Sequence, residues 1–440
     1  MAPGTTPVQS AFERAICIAG KGLQHIEYQK TQSDWDFDQS IETHFQILAK
    51  YLPELYNQET HNPDEIDHRF AEALYKIGLV EFHWRRFDRS ERFLRASISA
   101  YEQTADETCR YEAMRALARV LADKAGHGPE GLELAQRALK GIESLEENRR
   151  VNAEKRDIHG VEFMRTTGVL MGTNGKYNEA IQLYNEAISL AEETLGPEHF
   201  ITLTMVKTLA ATLGTQGHYC KAIELHTRTL HVYCRILASG HVFINRNHYN
   251  LGSCYNNKGD YQKALRHALL TLEGYEKTHG IRNTETLRAV SLVGIVYLNS
   301  GDNENALPYS RRLLEGRERA YGTDHTETLN AVSLVGDVYH NSGDYENALP
   351  YFRRSLEGYE KTLGTDHTET LNTVRCIGNT YYNSGDYENA LTYYRRLLEG
   401  RKKTLGTDHA DTLEAAQDIR DAERYITTTE SSAASQTSSI

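Results

Sequence analysis

No stretch of this chain approaches the ~18 consecutive apolar residues that a membrane-crossing helix needs, so no membrane association is expected. Clustered positive charge is missing too: Lys and Arg number 49 against 61 Asp and Glu, a formal charge of −12. Phosphate backbones are gripped by basic patches, so nucleic acid is not an expected partner. Cysteine is sparse and scattered (Cys17, Cys109, Cys220, Cys234, Cys254, Cys376), with no C-x-x-C pair. Met1 to Ser10 lacks the basic and apolar regions of a signal peptide, and the two observations together point to reduced thiols in a cytoplasmic protein. Catalytic strings are equally scarce: H-E-x-x-H, G-x-S-x-G and G-x-G-x-x-G do not occur. Gly172 to Lys176 comes nearest a phosphate loop, but Leu170 stands at its first glycine position and Tyr177 at its hydroxyl position. Asp34, Asp36 and Asp38 imitate the start of a calcium loop, yet Gln39 replaces the turn glycine and Phe45 the final glutamate. No cofactor and no metal are therefore expected. What remains is ample core material: 39% hydrophobic and 25% charged residues over 440 positions, which excludes global disorder.

The chain repeats itself every 42 residues. LNAVSLVGDVYHNSGDYENALPYFRRSLEGYEKTLGTDHTET, from Leu329, is followed by LNTVRCIGNTYYNSGDYENALTYYRRLLEGRKKTLGTDHADT, from Leu371, with 28 of 42 positions identical. Turn glycines keep that period at Gly175, Gly217, Gly259, Gly301, Gly343 and Gly385, and Ala180, Ala222, Ala264, Ala306, Ala348 and Ala390 follow five residues after each. Each unit reads as two helices. Val332, Val335, Gly336 and Tyr339 give one apolar face, and the Asn-Ser-Gly-Asp cluster at 341–344 breaks it. A second helix from about Tyr345 to Leu363 turns Ala348, Phe352 and Leu356 inward, alanine being small where the two helices approach. Asp366 followed by Glu369, and Asp324 by Glu327, predict capping boxes that open the next first helices. Two helices cannot bury an apolar face alone, so the units must stack.

These glycine, tyrosine and alanine positions resemble the tetratricopeptide signature. The 42-residue period, the long second helix and the link LGPEHFITL at Leu195 to Leu203, or LGTDHTETL at Leu363 to Leu371, are similar to the kinesin-light-chain type of that repeat. The resemblance covers about Val161 to Arg424 and implies an all-α fold, a right-handed solenoid of stacked antiparallel helix pairs. The expected organisation is a disordered segment 1–10, an irregular helical region 11–150 with divergent hairpins, six regular units over 151–425, and a disordered Ser/Thr-rich tail 426–440. Within the irregular region, Ala71 to Glu102 and Arg110 to Leu145 each look like one divergent unit.

The polar features invite structural readings first. His199, His241, His325, His367 and His409 recur at equivalent positions, about one repeat apart, too far to share an ion, so a hydrogen bond that shapes the turn is expected. Arg311-Arg312, Arg353-Arg354 and Arg395-Arg396 alternate with Glu315, Glu357 and Glu399 and read as a solvated salt-bridge face. Ser438 to Ile440 resembles a C-terminal ligand for strand-addition domains only as chance would.

Family resemblance implies that first helices line a groove, and its inward positions name candidates: Arg165, Lys207, Arg246, Tyr249, Asn256, Asn257, Arg288, Asn299, Asn330, His340, Asn341, Asn372, Arg375, Asn379 and Asn383. Asn257, Asn299, Asn341 and Asn383 form a ladder whose amides can pair with an extended backbone, or simply end their helices. Arg165, Lys207, Arg246, Arg288 and Arg375 put positive charge in an acidic chain and suggest an acidic segment or terminal carboxylate as the ligand. The expected function is a non-catalytic scaffold or adaptor that binds a partner protein's peptide, with no catalytic residues assigned. The alternative is an accessory or catalytic component of a biosynthetic pathway, its site formed by region 11–150 against the array, where Trp35, His83, Trp84, Arg85 and Arg86 concentrate.

Overall fold

The computed structural model describes residues 68–437, apart from 84, 85, 105, 125 and 149–152. Segment 1–10, the aspartates 34–38, Trp35, Trp84 and the last three residues lie outside the described residues. Within them the secondary structure is 17 helices and no strand. The chain divides into two compact units, Met1–Gln216 and Gly217–Ile440. The first holds α1 (His68–His83), α2 (Phe87–Thr104), α3 (Glu107–Asp123), α4 (Gly128–Asn148), α5 (Ala153–Thr173), α6 (Tyr177–Thr194) and α7 (Phe200–Thr215). The second holds α8 (Tyr219–Ile236), α9 (Val242–Lys258), α10 (Tyr261–His279), α11 (Thr284–Asn299), α12 (Asn303–Tyr321), α13 (Thr326–Asn341), α14 (Tyr345–Leu363), α15 (Thr368–Asn383), α16 (Tyr387–Leu405) and α17 (Ala410–Thr437).

The pair α13–α14 shows why the repeat folds as it does. Ser342 caps α13, Gly343 takes the left-handed backbone at φ +80°, and the Asp344 carboxylate accepts the Asn347 N–H at 3.2 Å to open α14. Gly336 lies against Phe352 and Gly358 against Leu329, so numbers fall on one helix as they rise on the other and the pair is antiparallel. The six periodic alanines, from Ala180 to Ala390, are all fully buried. One buried position recurs at the 42-residue period down the second unit, as Tyr233, Tyr275, Arg317, Tyr359 and Arg401. Tyr359 donates its hydroxyl to Asn330, whereas Arg317 and Arg401 donate to the backbone carbonyls of Glu327 and Asp411, each at 2.7 Å.

The link between units is explained residue by residue. Gly364 (φ +94°) reverses the chain, and its carbonyl accepts the Thr370 hydroxyl at 2.7 Å. The helix cap is His367, whose Nδ1 accepts the Glu369 N–H at 3.2 Å. His199, His241, His325 and His409 repeat the bond, and Asn283 makes it with Oδ1 at 2.9 Å. The expected turn-shaping hydrogen bond is thus seen, but the capping boxes at Asp324 and Asp366 are corrected. Histidine Nδ1 and asparagine Oδ1 are both bonded to the γ-carbon, so either reaches the same amide. Asp324 instead pairs with Lys361 at 2.7 Å across one repeat.

The paired arginines are also corrected. They do not serve mainly their own helix; they stitch neighbouring repeats. Arg312 meets Glu276 at 2.5 Å, Arg354 meets Glu318 at 2.6 Å, and Arg396 meets Glu360, always 36 residues back. Arg311 and Arg353 donate forward to the hydroxyls of Tyr339 and Tyr381. The last helix, α17, runs to Thr437. Ala415 and Ala422 bury its first half, and no glycine or proline follows to stop propagation.

Within each unit, successive first helices lie against one another: α1, α3, α5 and α7 in the first, α9, α11, α13 and α15 in the second. They therefore form the inner layer of each stack. No described helix is long and apolar enough to cross a membrane.

Candidate functional site

The inner layer of the second unit carries most of the candidates named from sequence. Arg246, Tyr249, Asn256 and Asn257 stand on α9, and Arg288 and Asn299 on α11. Asn330, His340 and Asn341 stand on α13, and Asn372, Arg375, Asn379 and Asn383 on α15. Arg165 on α5 and Lys207 on α7 belong to the first unit. Asn257, Asn299, Asn341 and Asn383 are all exposed at the last residues of their helices, a consequence of the 42-residue period.

The ladder is cross-linked one repeat out of step. Asn299 Nδ2 donates to Asn256 Oδ1 at 3.1 Å, and Asn256 Nδ2 donates to Asn257 Oδ1 at 3.3 Å. Asn256 is buried, so it serves the stack rather than its surface. Two repeats on, Asn383 Nδ2 faces His340 Nε2 at 3.1 Å, and His340 Nδ1 faces Thr380 Oγ1 at 2.9 Å. Thr380 spends its hydroxyl hydrogen on the Cys376 carbonyl at 2.7 Å, so it accepts from His340. His340 therefore carries its proton on Nδ1 and accepts from Asn383 on Nε2. Burial agrees, holding the imidazole pKa below its usual value and favouring the neutral ring. Asn341, between these linked pairs, makes no side-chain hydrogen bond among the described residues, and it borders an open cavity of about 510 Å³ with Asn299, Asn303, His340, Tyr345 and Asn383.

The arginines are less available than their positions suggest. Arg375 is held by Glu414 at 2.5 and 2.7 Å, Arg288 by Glu285 at 3.2 Å with its guanidinium 5.2 Å over Tyr249, and Arg165 by Glu162 at 2.7 Å. Arg246 is exposed and has no ion pair among the described residues. Asn330 and Asn379 each accept a tyrosine hydroxyl, from Tyr359 and from Tyr394 at 2.9 Å. The inner face is consequently a largely neutral surface of amides and hydroxyls.

A tetratricopeptide repeat profile matches residues 168–235, 243–319, 285–361 and 328–375, and a second profile of the same description matches 370–411, together more than half of the chain. The chain belongs to the tetratricopeptide repeat family. No curated protein matches it. Among solved structures, this tetratricopeptide chain is similar to the quorum sensor NprR from B. thuringiensis at 12% identity, covering 89% of this chain and 99% of that one, with a TM-score of 0.56. A Rap protein complexed with Competence and Sporulation Factor is 16% identical, over 89% and 98% of the two chains, at a TM-score of 0.51. Kinesin light chain repeats from Podosopora anserina are 18% identical, over 46% and 95%, at a TM-score of 0.42.

The tetratricopeptide face also holds residues that the ladder argument passed over. Thr380 and Cys376 complete the His340 chain, and Gly301, Asn303 and Tyr345 line the cavity from the turns and second helices. Their signal was the turn pattern itself, since residues that start second helices lie beside the ladder. Asp337, one turn before His340 on α13, has its pKa pushed up to about 6 by burial alone.

Proposed function

We propose that the chain is a protein-interaction scaffold whose second unit grips an extended peptide of a partner along the inner face of α9, α11, α13 and α15. The observation that carries this reading is the row of exposed amides Asn257, Asn299, Asn341 and Asn383, opening at Asn341 onto the 510 Å³ cavity. A carboxamide offers one acceptor and two donors, which matches a peptide's alternating N–H and C=O without reading its side chains. Charge supports a narrower preference. With Arg288 and Arg375 already paired, an acidic residue or terminal carboxylate of the ligand is best met at Arg246, near Arg288 on the adjoining helix. The Rap protein solved with Competence and Sporulation Factor supports reading such stacks as ligand-holding surfaces.

The test is a panel of synthetic extended peptides, acidic and neutral, with free or amidated C-termini. Binding is measured to the wild type, to an Asn341→Ala, Asn383→Ala double variant and to Arg246→Glu. Losing two amide contacts at ~1 kcal/mol each predicts roughly a tenfold to thirtyfold weaker peptide complex with unchanged helicity. Equal affinity of the double variant would refute the ladder. Indifference of Arg246→Glu to peptide charge would refute the acidic preference alone.

A further inference from the structure

We propose that His68, Asp106 and Cys109, in the first unit, form a binding site for a divalent transition-metal ion of the zinc class. The fold builds this cluster from residues nearly 40 positions apart in sequence. His68 opens α1, while Asp106 is the N-cap of α3 and Cys109 lies in its first turn. The pairing of α1 with α3 as neighbouring inner helices brings both helix starts to the same end of the stack. An imidazole Nδ1, a carboxylate oxygen and a thiol sulfur then lie within 4.8 Å of one another, the one such trio among the described residues.

The His68–Asp106 separation suits a shared ion. His68 Nδ1 and Asp106 Oδ2 are 3.3 Å apart. That is long for a charge-assisted hydrogen bond, which sits at ~2.7–2.9 Å. Two nitrogen or oxygen ligands each ~2.0–2.1 Å from a tetrahedral ion stand about 3.3–3.4 Å from one another. The carboxylate is also already aimed, because Asp106 Oδ1 accepts the Cys109 N–H at 3.0 Å and leaves Oδ2 toward His68. The Tyr101 ring, buried beneath the cluster, lies 5.6 Å from the imidazole and steadies it. Such outer contacts orient ligands and belong to working metal sites.

One nitrogen, one oxygen and one sulfur donor make a borderline-soft set, suited to zinc, cobalt or nickel and unsuited to calcium or magnesium, which take oxygen. A fourth position is left for water. His68 is exposed and Cys109 half-buried, so an ion has a path from solvent. On binding, a metal–sulfur bond forms as the S–H bond breaks, and the proton leaves to solvent. Because the thiol must lose its proton to bind, protons compete with the metal and affinity rises with pH.

The experiment titrates the full chain with Co²⁺ alone under anaerobic conditions, and then back-titrates with Zn²⁺. The expected result is a thiolate-to-cobalt charge-transfer band saturating at one ion per chain, displaced by zinc. The band disappears in Cys109→Ser, persists in Cys254→Ser, and requires at least ~10-fold more cobalt in His68→Ala. Absence of the band in wild type, its survival in Cys109→Ser, or an unchanged affinity in His68→Ala overturns the proposal. A wild-type measurement guards against variants that fail to fold: Zn²⁺ must slow alkylation of Cys109 by N-ethylmaleimide, read by peptide mass spectrometry. Equal alkylation with and without zinc also overturns it.

Discussion

Asp337→Asn is the most exacting test of how this face is built. The Asp337 carboxyl sits on α13 with no cation or hydrogen-bond donor on its oxygens among the described residues, and burial alone lifts its pKa from 3.8 to about 6. Asp337 is half-buried, so roughly two units at ~1.36 kcal/mol each set an upper bound of about 3 kcal/mol on the cost of holding the carboxylate charged. The sign follows from proton counts. Between the two pKa values the folded state holds a proton that the unfolded chain has released, so stability falls as pH rises through that window. Below it the penalty is absent, and above it the penalty is complete. Asparagine keeps the shape of the protonated acid and is neutral throughout. The variant should thus match wild type near pH 4 and be more stable near pH 7.5, by at most about 3 kcal/mol. Urea unfolding by far-ultraviolet circular dichroism at both pH values measures this. The same midpoint difference at both, or a less stable variant near neutrality, would show that Asp337 is solvated or paired and that the reasoning fails.

Two further substitutions probe the repeat itself. In Gly336→Ala the new methyl would lie 2.7 Å from Phe352 Cε1, closer than packed atoms tolerate. An overpacking cost of about 1–3 kcal/mol should outweigh the ~1 kcal/mol gained in helix propensity, lowering the melting temperature by a few degrees. In His367→Ala the Glu369 N–H loses its cap, and about 1 kcal/mol should go with it. His367→Asn should restore most of that loss, since Asn283 already makes the bond from the same γ position, and failure of asparagine to rescue would remove the capping argument.

The repeat was legible because its determinants are local and periodic. A glycine followed by Asp or Asn at a helix start fixes the turn at 343–345 without distant information, and the alanine five residues after it must be buried wherever two helices cross. The face of the groove was legible only as positions. Glu162 and Glu285 stand three residues before Arg165 and Arg288, a spacing that announces their ion pairs, whereas Glu414 lies 39 residues from Arg375 and is reached only through packing of α17. The caps were misread because aspartate is the commoner N-cap, and histidine competes only when the chain brings Nδ1 to the right amide. The His68–Asp106–Cys109 cluster has no sequence spacing to betray it, because two separate helix starts compose it.

The stitches between repeats also determine how the array can change length. Arg312–Glu276, Arg354–Glu318 and Arg396–Glu360 are one bond made three times, so excising residues 329–370 would set Arg396 opposite Glu318 with nothing lost. The buried series Tyr233, Tyr275, Arg317, Tyr359, Arg401 is less uniform. The same excision would set Arg317 beside Arg401, as Tyr233 already stands beside Tyr275. The exposed stitches thus tolerate excision of a single 42-residue repeat, whereas the buried series registers which repeat is removed.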